Sequence, residues 1–527
     1  MACAILESIL TLLALSACLD KVTAESGILP CVPKTFGSSS VVCVCNSTYC
    51  DTVETEDVLP PDRFAVYVTT KSGSRLKKTV LHRQKFTGEQ IAADASKSVL
   101  IFKVDTSHVR QTIVGFGGTF TDASGMNIAS LSKSAQEHLI NSYFGPDGIE
   151  YTLGRIPIAS NDMSTDIYSY DFTNGDTGLS KFTIAGYDHL YKLPYIDQAV
   201  VASRRNVSLF GSPWSSPDWM KTNDNMVGYG TIADGMAKVY ANYLGRFLQE
   251  YESFMFHGRM WGITPQSGPV RSCNISSQPQ YQSLCWTAEN MSDWVVRDLK
   301  PSLREYGYDH VKLLVMDDNR DQLPHWTEAF QSVAKRNDID GFAVQSHHDG
   351  SSSPSLLADT HAKFPDKIII GSEFSLHRKP AVDLGSWERA ETLASSIFQD
   401  LQNFVSGYTH YNLALNASGG PSWINNNADC PIIVDATNKV FYKQPMFYIM
   451  GHFSKFVPPG SVAIGLKSDG PISIATPAVA FLRPDGSIAV IMANMSEEEV
   501  KIQLVDGTFV IKYTLEPSSI QTLVWWS

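Results

Sequence analysis

The run Lys367-Ile368-Ile369-Ile370-Gly371-Ser372-Glu373 ends an isoleucine-rich stretch on a carboxylate. Three consecutive isoleucines read as a strand buried on both faces, the pattern of a parallel sheet under helices. In an α/β barrel, the C-terminal ends of such strands carry the catalytic groups. Glu373 is therefore a candidate catalytic carboxylate, and its plainer alternative is a solvated cap on the next helix. Further polar and aromatic groups follow other strand-like runs. Gly115-Phe116-Gly117-Gly118 precedes Asp122, and Arg155 precedes Ser160, Asn161 and Asp162. Ser212-Pro213-Trp214-Ser215-Ser216-Pro217-Asp218-Trp219 follows a third. Indole faces stack on sugar rings, and charged side chains bond hydroxyls, so this mixture suits a carbohydrate. Each tryptophan taken singly reads as core, but their recurrence at strand ends points to a pocket. The glycine-rich run lacks the lysine of a phosphate-binding loop.

These residues need a scaffold that brings strand ends together. Eight apolar runs read as strands: Thr112–Phe116, Tyr151–Ile158, Val207–Ser212, Met260–Thr264, Val311–Asp317, Gly341–Gln345, Ile368–Glu373 and Tyr408–Leu415. Helical periodicity lies between them, as in Met236–Tyr251, Trp294–Tyr306 and Trp387–Val405. Eight such units are what a (β/α)8 TIM barrel requires. Both flanks alternate with period two instead. Ser40–Val44, Phe64–Val68 and Val99–Val104 precede the barrel; Pro471–Ile474, Ile488–Met492 and Val500–Leu504 follow it. Arg483-Pro484-Asp485-Gly486-Ser487 reads as a turn. The expected fold is α/β: the barrel, with an accessory all-β sandwich built from N- and C-terminal segments. The expected units are a signal peptide over 1–24, a disulfide-stapled β unit over 25–56, a sandwich over 57–109 and 461–527, and the barrel over 110–460.

The bulk composition is that of a globular protein, with 43% hydrophobic and 18% charged residues among 527. A net charge of -12 without a basic run argues against nucleic acid. Ile5 to Ala17 is a short apolar run followed by Val22-Thr23-Ala24, the pattern of a secretory signal cleaved near Ala24, although no basic residue precedes Lys21. The run is too short to span a bilayer. Cys31, Cys43, Cys45 and Cys50 crowd together and read as disulfide staples, with a zinc site as the alternative. Cys273, Cys285 and Cys430 are odd in number, so at least one thiol is free. Sequons at Asn46, Asn206, Asn274, Asn290, Asn416 and Asn494 would permit glycans.

Several long stretches resemble the glucosylceramidases of glycoside hydrolase family 30. They are Pro33–Gly37 running on to Cys43–Cys50, Gly115–Gly118, Ser212–Trp214, Asn412–Asn416, and Phe441–Tyr448 with Gly451–Phe456. The resemblance covers nearly the whole mature chain. It implies a barrel with a sandwich, and retaining cleavage of β-glucosides, chiefly glucosylceramide in sphingolipid catabolism. It implies disulfides Cys31–Cys43 and Cys45–Cys50, and Glu373 as the nucleophile. A glycosphingolipid substrate, a saposin-type activator, an anionic membrane surface and a lysosomal destination follow from it too. No cofactor or metal is expected.

The resemblance breaks at the second carboxyl. A retaining glycosidase places its two carboxyls about 5–5.5 Å apart, one to attack and one to protonate the leaving oxygen. The family ends its fourth strand Thr-Ala-Glu-Asn-Glu-Pro, whereas this chain reads Thr264-Pro265-Gln266-Ser267-Gly268-Pro269. The acid/base position thus falls on Gly268, and the asparagine that holds the 2-hydroxyl becomes Ser267. Thr287-Ala288-Glu289-Asn290 repeats part of that motif, but it runs into a helical pattern and reads as an N-cap with Glu289 in the first turn. After strand six the family's His-Trp-Tyr becomes Gln345-Ser346-His347, so His347 would face the nucleophile. After strand eight Asp-Trp becomes His410-Tyr411. Arg155, Asp162, Trp214, Asn412, Trp423 and Asn426 keep the family residue; of these Arg155, Asp162, Trp214 and Asn426, with Ser267, His347 and Tyr411, would line the sugar site. Two functions follow as expectations. One is a glucosylceramidase weakened by about 10²–10⁴ for want of its acid; the other is an inactive glycolipid- or sugar-binding relative. Gly268→Glu should restore activity if the pocket is otherwise sound.

Overall fold

A computed structural model describes residues 27–55, 57–85, 99–275, 279–335, 337–469 and 475–526. The expected signal peptide and the strand Pro471–Ile474 lie outside these residues. Eight parallel strands close into a barrel. In chain order they are Gly115–Thr119, Leu153–Ile158, Ser208–Pro213, Met260–Ile263, Lys312–Asn319, Gly341–Gln345, Ile368–Phe374 and Gly407–His410. Strand eight closes on strand one with Gly407 opposite Gly115. Each of the eight expected strands is present. The first starts later than expected because Thr112 ends the long sandwich strand Val99–Thr112. The eighth stops at His410, since Leu415–Asn416 joins another sheet.

The barrel interior is packed. Leu153, Phe210, Leu314, Ala343 and Ile370 form one inward apolar cluster, as alternate side chains of a closed barrel must. The glycine-rich strand one serves close approach: a Cβ on Gly117 would sit 1.5 Å from the Leu153 carbonyl oxygen. Amphipathic helices cover the outside, including Ala237–Phe254 and Trp387–Gln402. The expected Trp294–Tyr306 helix begins earlier, at Ala288, capped by the Thr287 side chain accepting from the Asn290 amide at 3.2 Å. It runs through a wider turn, Val295–Leu299, into Lys300–Glu305.

The head and tail strands form one ten-stranded sheet. Its core includes Phe64, Val66, Val490, Leu523 and Trp525. Arg63–Thr70 from the head pairs with Ser519–Trp526 from the tail, which fixes the accessory unit as a joint product of both ends. The N-terminal β unit expected over 25–56 is not freestanding. Its strands Pro33–Lys34 and Val42–Cys45 extend a sheet with Val440–Lys443, Ile432–Asp435 and Leu415–Asn416. Two short strands cannot bury a face by themselves, so they borrow one from the end of the barrel segment. Disulfides join Cys31 to Cys43 and Cys45 to Cys50. A third joins Cys273 to Cys285, leaving Cys430 as the buried free thiol.

Candidate active site

Glu373 sits in strand seven and is almost fully buried. Both of its carboxylate oxygens are engaged. Arg155 Nη1 donates to Oε2, and His347 Nε2 donates to Oε1 at 3.1 Å. Burial alone would raise its pKa, but Arg155 foremost, then His347 and Arg271, outweigh burial and hold the carboxyl well below the usual carboxylate range. The arrangement therefore favours the ionised form, as an attacking carboxylate requires.

Arg155 is the hub beneath it. Its guanidinium is wholly buried in strand two and also donates through Nη2 to Asp317 Oδ2 at 2.7 Å and to Ser267 Oγ at 3.1 Å. Its Nε donates to Ser212 Oγ at 3.1 Å, and its plane lies 4.8 Å from the Trp214 ring centre. Asp317, from strand five, takes further bonds from Thr264 Oγ1 at 2.8 Å and Ser372 Oγ at 2.6 Å. A carboxylate with this many donors is a fixed counter-charge, and strands two, three, four, five and seven are thereby tied at one point.

The remaining expected residues gather around this hub. The ring of Tyr411 stacks on Trp214 with centroids 6.0 Å apart. Tyr411 donates its hydroxyl to Asp162 Oδ1 at 2.6 Å, and Asn426 Nδ2 donates to Asp162 Oδ2 at 2.9 Å. Trp423 Nε1 donates to the Asn161 carbonyl at 3.1 Å. An aromatic floor beside fixed carboxylates can hold a sugar ring and its hydroxyls. Asn412 stands apart from that surface, its Oδ1 accepting from Thr121 Oγ1 at 2.6 Å. Asp122 is structural: it pairs with Lys192 at 3.3 Å and accepts from the Tyr168 hydroxyl at 3.0 Å. Among the sequons, Asn206, Asn274 and Asn290 are exposed, and Asn46 and Asn416 are partly covered. Asn494 is buried, with Nδ2 donating to the Glu498 and Glu516 carbonyls at 2.7 and 3.0 Å, so the folded chain leaves no room for a glycan there.

Position 268 is covered by a neighbouring side chain. Gly268 adopts φ +59°, a left-handed conformation that a side chain disfavours. A Cβ placed there would lie 2.8 Å from Arg271 Nη2 and 3.1 Å from Arg271 Nε. The space into which an acid would grow is filled by a guanidinium, so Gly268→Glu requires Arg271 to shift. Arg271 Nη2 donates to Gln345 Oε1 at 2.8 Å, and Gln345 Nε2 donates to Ser267 Oγ at 3.1 Å. Burial would lower the Arg271 pKa, yet Tyr281, Asp318, Glu373 and Asp162 outweigh it and keep the group charged. A guanidinium does not release its proton in this range, so it cannot act as the general acid.

Arg271 and Asp317 escaped the reading of the sequence. Asp317 carried a signal, three polar residues (Asp317-Asp318-Asn319) ending an apolar strand. Arg271 carried almost none, because only the left-handed turn at Gly268 swings it back over that glycine. Glu289, the dismissed repeat of the motif, lies exposed in the first turn of its helix and pairs with His325 at 3.2 Å.

Residues 113–457 match the glycosyl hydrolase family 30 TIM-barrel domain, and residues 460–523 match the family 30 beta sandwich domain. The chain is 39% identical to the lysosomal acid glucosylceramidase of Mus musculus over 511 residues, 95% of this chain and 96% of that protein. The crystal structure of SrfJ from Salmonella typhimurium superposes with a TM-score of 0.79 at 26% identity, covering 88% of this chain and 100% of that one. The endo-beta1,6-glucanase BT3312, at 20% identity and a TM-score of 0.77, shares the fold over 88% of this chain and 100% of its own. The strand-end carboxylate on its arginine hub, the aromatic floor and these matches along both domains together establish that the chain belongs to glycosyl hydrolase family 30.

Proposed function

We propose that the protein binds the glucosyl headgroup of glucosylceramide and attacks its anomeric carbon with Glu373, without a general acid to protonate the leaving oxygen. The observation that carries this is the pairing of an ionised Glu373 on Arg155 with a bare Gly268 covered by Arg271. Support for the substrate class comes from the mouse relative, which is named a glucosylceramidase. Ile167 and Phe172 after strand two and Ile275 after strand four are exposed on loops leaving the strand ends, where a lipid could be met. The same reading takes the substrate from an anionic membrane surface with a saposin-type activator, in a lysosomal or secreted setting. Three disulfides fit that setting. Among the described residues, no helix is long and apolar enough to cross a membrane.

In the first step Glu373 displaces the aglycone oxygen and forms a glycosyl ester. Loss of acid assistance costs about 10²–10⁴ in rate, or about 3–5.5 kcal/mol of barrier. The cost weighs most on an alkoxide such as the ceramide oxygen. In the second step no carboxylate at position 268 activates water, so the ester persists. The test compares glucosylceramide with an aryl glucoside bearing a good leaving group, each with and without azide. The expected outcome is slow lipid turnover, measurable aryl glucoside turnover accelerated by azide, and loss of both in Glu373→Gln. Rapid lipid hydrolysis at acid pH that vanishes in Glu373→Gln would sink the missing-acid reading.

One observation favours a second reading, a glycolipid-binding protein without turnover. Both oxygens of Glu373 are already bonded, to Arg155 and His347, and donors held on a carboxylate draw off the electron density that attack requires. Binding of glucosylceramide with no covalent adduct on Glu373 would select it.

A further inference from the structure

The guanidinium over Gly268 has a hydrogen-bond donor to spare. Its Nη2 is spent on Gln345, but its Nε is sealed from solvent and has no hydrogen-bond partner among the described residues. Among the described residues, no carboxylate pairs directly with the guanidinium there. Asp318, the carboxylate that acts most strongly on it, is occupied elsewhere: its Oδ2 accepts the Val270 and Arg271 amides at 2.9 and 3.4 Å, and its Oδ1 accepts the Asn319 amide at 2.8 Å. Asp318, Glu373 and Asp162 balance its charge through space, but a buried N–H without an acceptor is costly, so an acceptor oxygen placed against Nε would complete the arrangement. The loop is also held in place. Cys273–Cys285 staples it, and Ser272 Oγ donates to the Gly268 carbonyl at 2.8 Å.

We infer that the site acts on β-glucosyl donors whose leaving group departs as an oxyanion, a carboxylate or a phosphate, received by Arg271 where a proton donor would otherwise stand. The inference rests on Glu373 being the attacking group. An alkoxide must be protonated as it leaves, and nothing at position 268 can do so. A carboxylate or phosphate needs no proton, and a guanidinium fork matches its oxygens. The step balances without an acid. A Glu373 oxygen forms a bond to the anomeric carbon, the carbon–oxygen bond to the leaving group breaks, and its electron pair leaves on that oxygen as the anion. The reverse step needs no base. A second oxyanion held by Arg271 attacks the anomeric carbon and displaces Glu373, so the glucosyl group passes from one oxyanion to another.

The experiment uses the full mature chain and three donors, each with excess acetate and, separately, inorganic phosphate as acceptor oxyanion: the benzoyl ester at the anomeric oxygen of β-glucose, β-glucose 1-phosphate and octyl β-glucoside. A dinitrophenyl 2-fluoroglucoside, whose leaving group needs little help, labels the nucleophile for mass spectrometry. The expected result is labelled Glu373, with turnover of the ester, the phosphate or both at least about 100-fold above the octyl glucoside. The ester and phosphate arms separate the two anion sources. Arg271→Gln should cut that turnover about 100-fold, the scale of one lost donor to a developing oxyanion, while still labelling Glu373. If Arg271→Gln loses its cooperative melting transition, Arg271→Lys replaces it and should retain part of the rate. Labelled Glu373 with all three donors equally slow, or ester and phosphate rates unchanged in the variant, overturns the inference and leaves the nucleophile standing. No label in the wild type overturns the nucleophile and the inference together.

Discussion

A glutamate introduced at position 268 meets two obstacles. The left-handed backbone there costs a side-chain-bearing residue about 1–2 kcal/mol, and its Cβ would press on Arg271 at 2.8 Å. Gly268→Glu alone is therefore expected to give no gain on an alkyl glucoside. Gly268→Glu combined with Arg271→Ala opens the space and should raise that rate about 100-fold, read as initial velocities on octyl β-glucoside. An equal gain from the single change would mean that Arg271 moves aside freely. Glu289→Gln should leave aryl glucoside turnover unaltered, because Glu289 is a surface residue of the following helix; a large loss would reinstate it as an acid.

Strand five shows how an element aims a residue. Its register against strand six slips between Met316 and Asp318, and Met316 and Asp317 both have positive φ, +76° and +52°. A bulge of this kind re-aims a side chain at the edge of a site, here turning Asp317 onto Arg155. Asp317→Asn strips a buried cation of one of its two carboxylates and should cost about 3 kcal/mol, read by chemical denaturation. A loss under about 1 kcal/mol would show that Glu373 alone neutralises Arg155. The cap on the helix that begins at Ala288 is a smaller matter: Thr287→Ala should cost about 1 kcal/mol.

At the scale of the whole molecule, the barrel segment and the sandwich are joined by a buried histidine. His452, in helix Pro445–Ser454, bonds Thr522 Oγ1 at 2.8 Å and Thr69 Oγ1 at 2.9 Å, one threonine from the tail and one from the head. Burial pushes its pKa down to about 3, and burial pushes that of His410 down to about 4. Above about pH 6.5 neither state binds a proton at these rings, and their contribution to stability is complete. As pH falls below that value the unfolded chain takes protons that the folded chain refuses, so stability is lost progressively. For His452 the loss is about 2 kcal/mol at pH 5. Denaturation midpoints of wild type and His452→Gln at pH 7 and pH 5 check this, since the variant should lose less on acidification. Parallel losses would assign the pH dependence elsewhere. Asp400 and Asp349, whose pKa values burial raises, work with the opposite sign, their contribution declining as pH rises.

The barrel was legible along the chain because hydrophobic period reports burial directly. Ile368-Ile369-Ile370 has to be a strand covered on both faces, and the eight such runs leave little choice of architecture. The strand-end residues were legible for the same reason: a polar group that ends a buried strand must surface at the rim, as Glu373, Asp162 and Trp214 do. That position 268 offers no side chain was also written in the letters. What stands over that glycine was decided only in three dimensions. Arg271 is one basic residue among 42, and only the positive φ of Gly268 and the Cys273–Cys285 loop bring it there. Likewise, the dependence of the N-terminal strands on residues 415–443 follows from hydrogen bonds between distant segments, which local pattern does not encode. Periodicity records how much of a residue is covered; which neighbour covers it is a property of the closed chain.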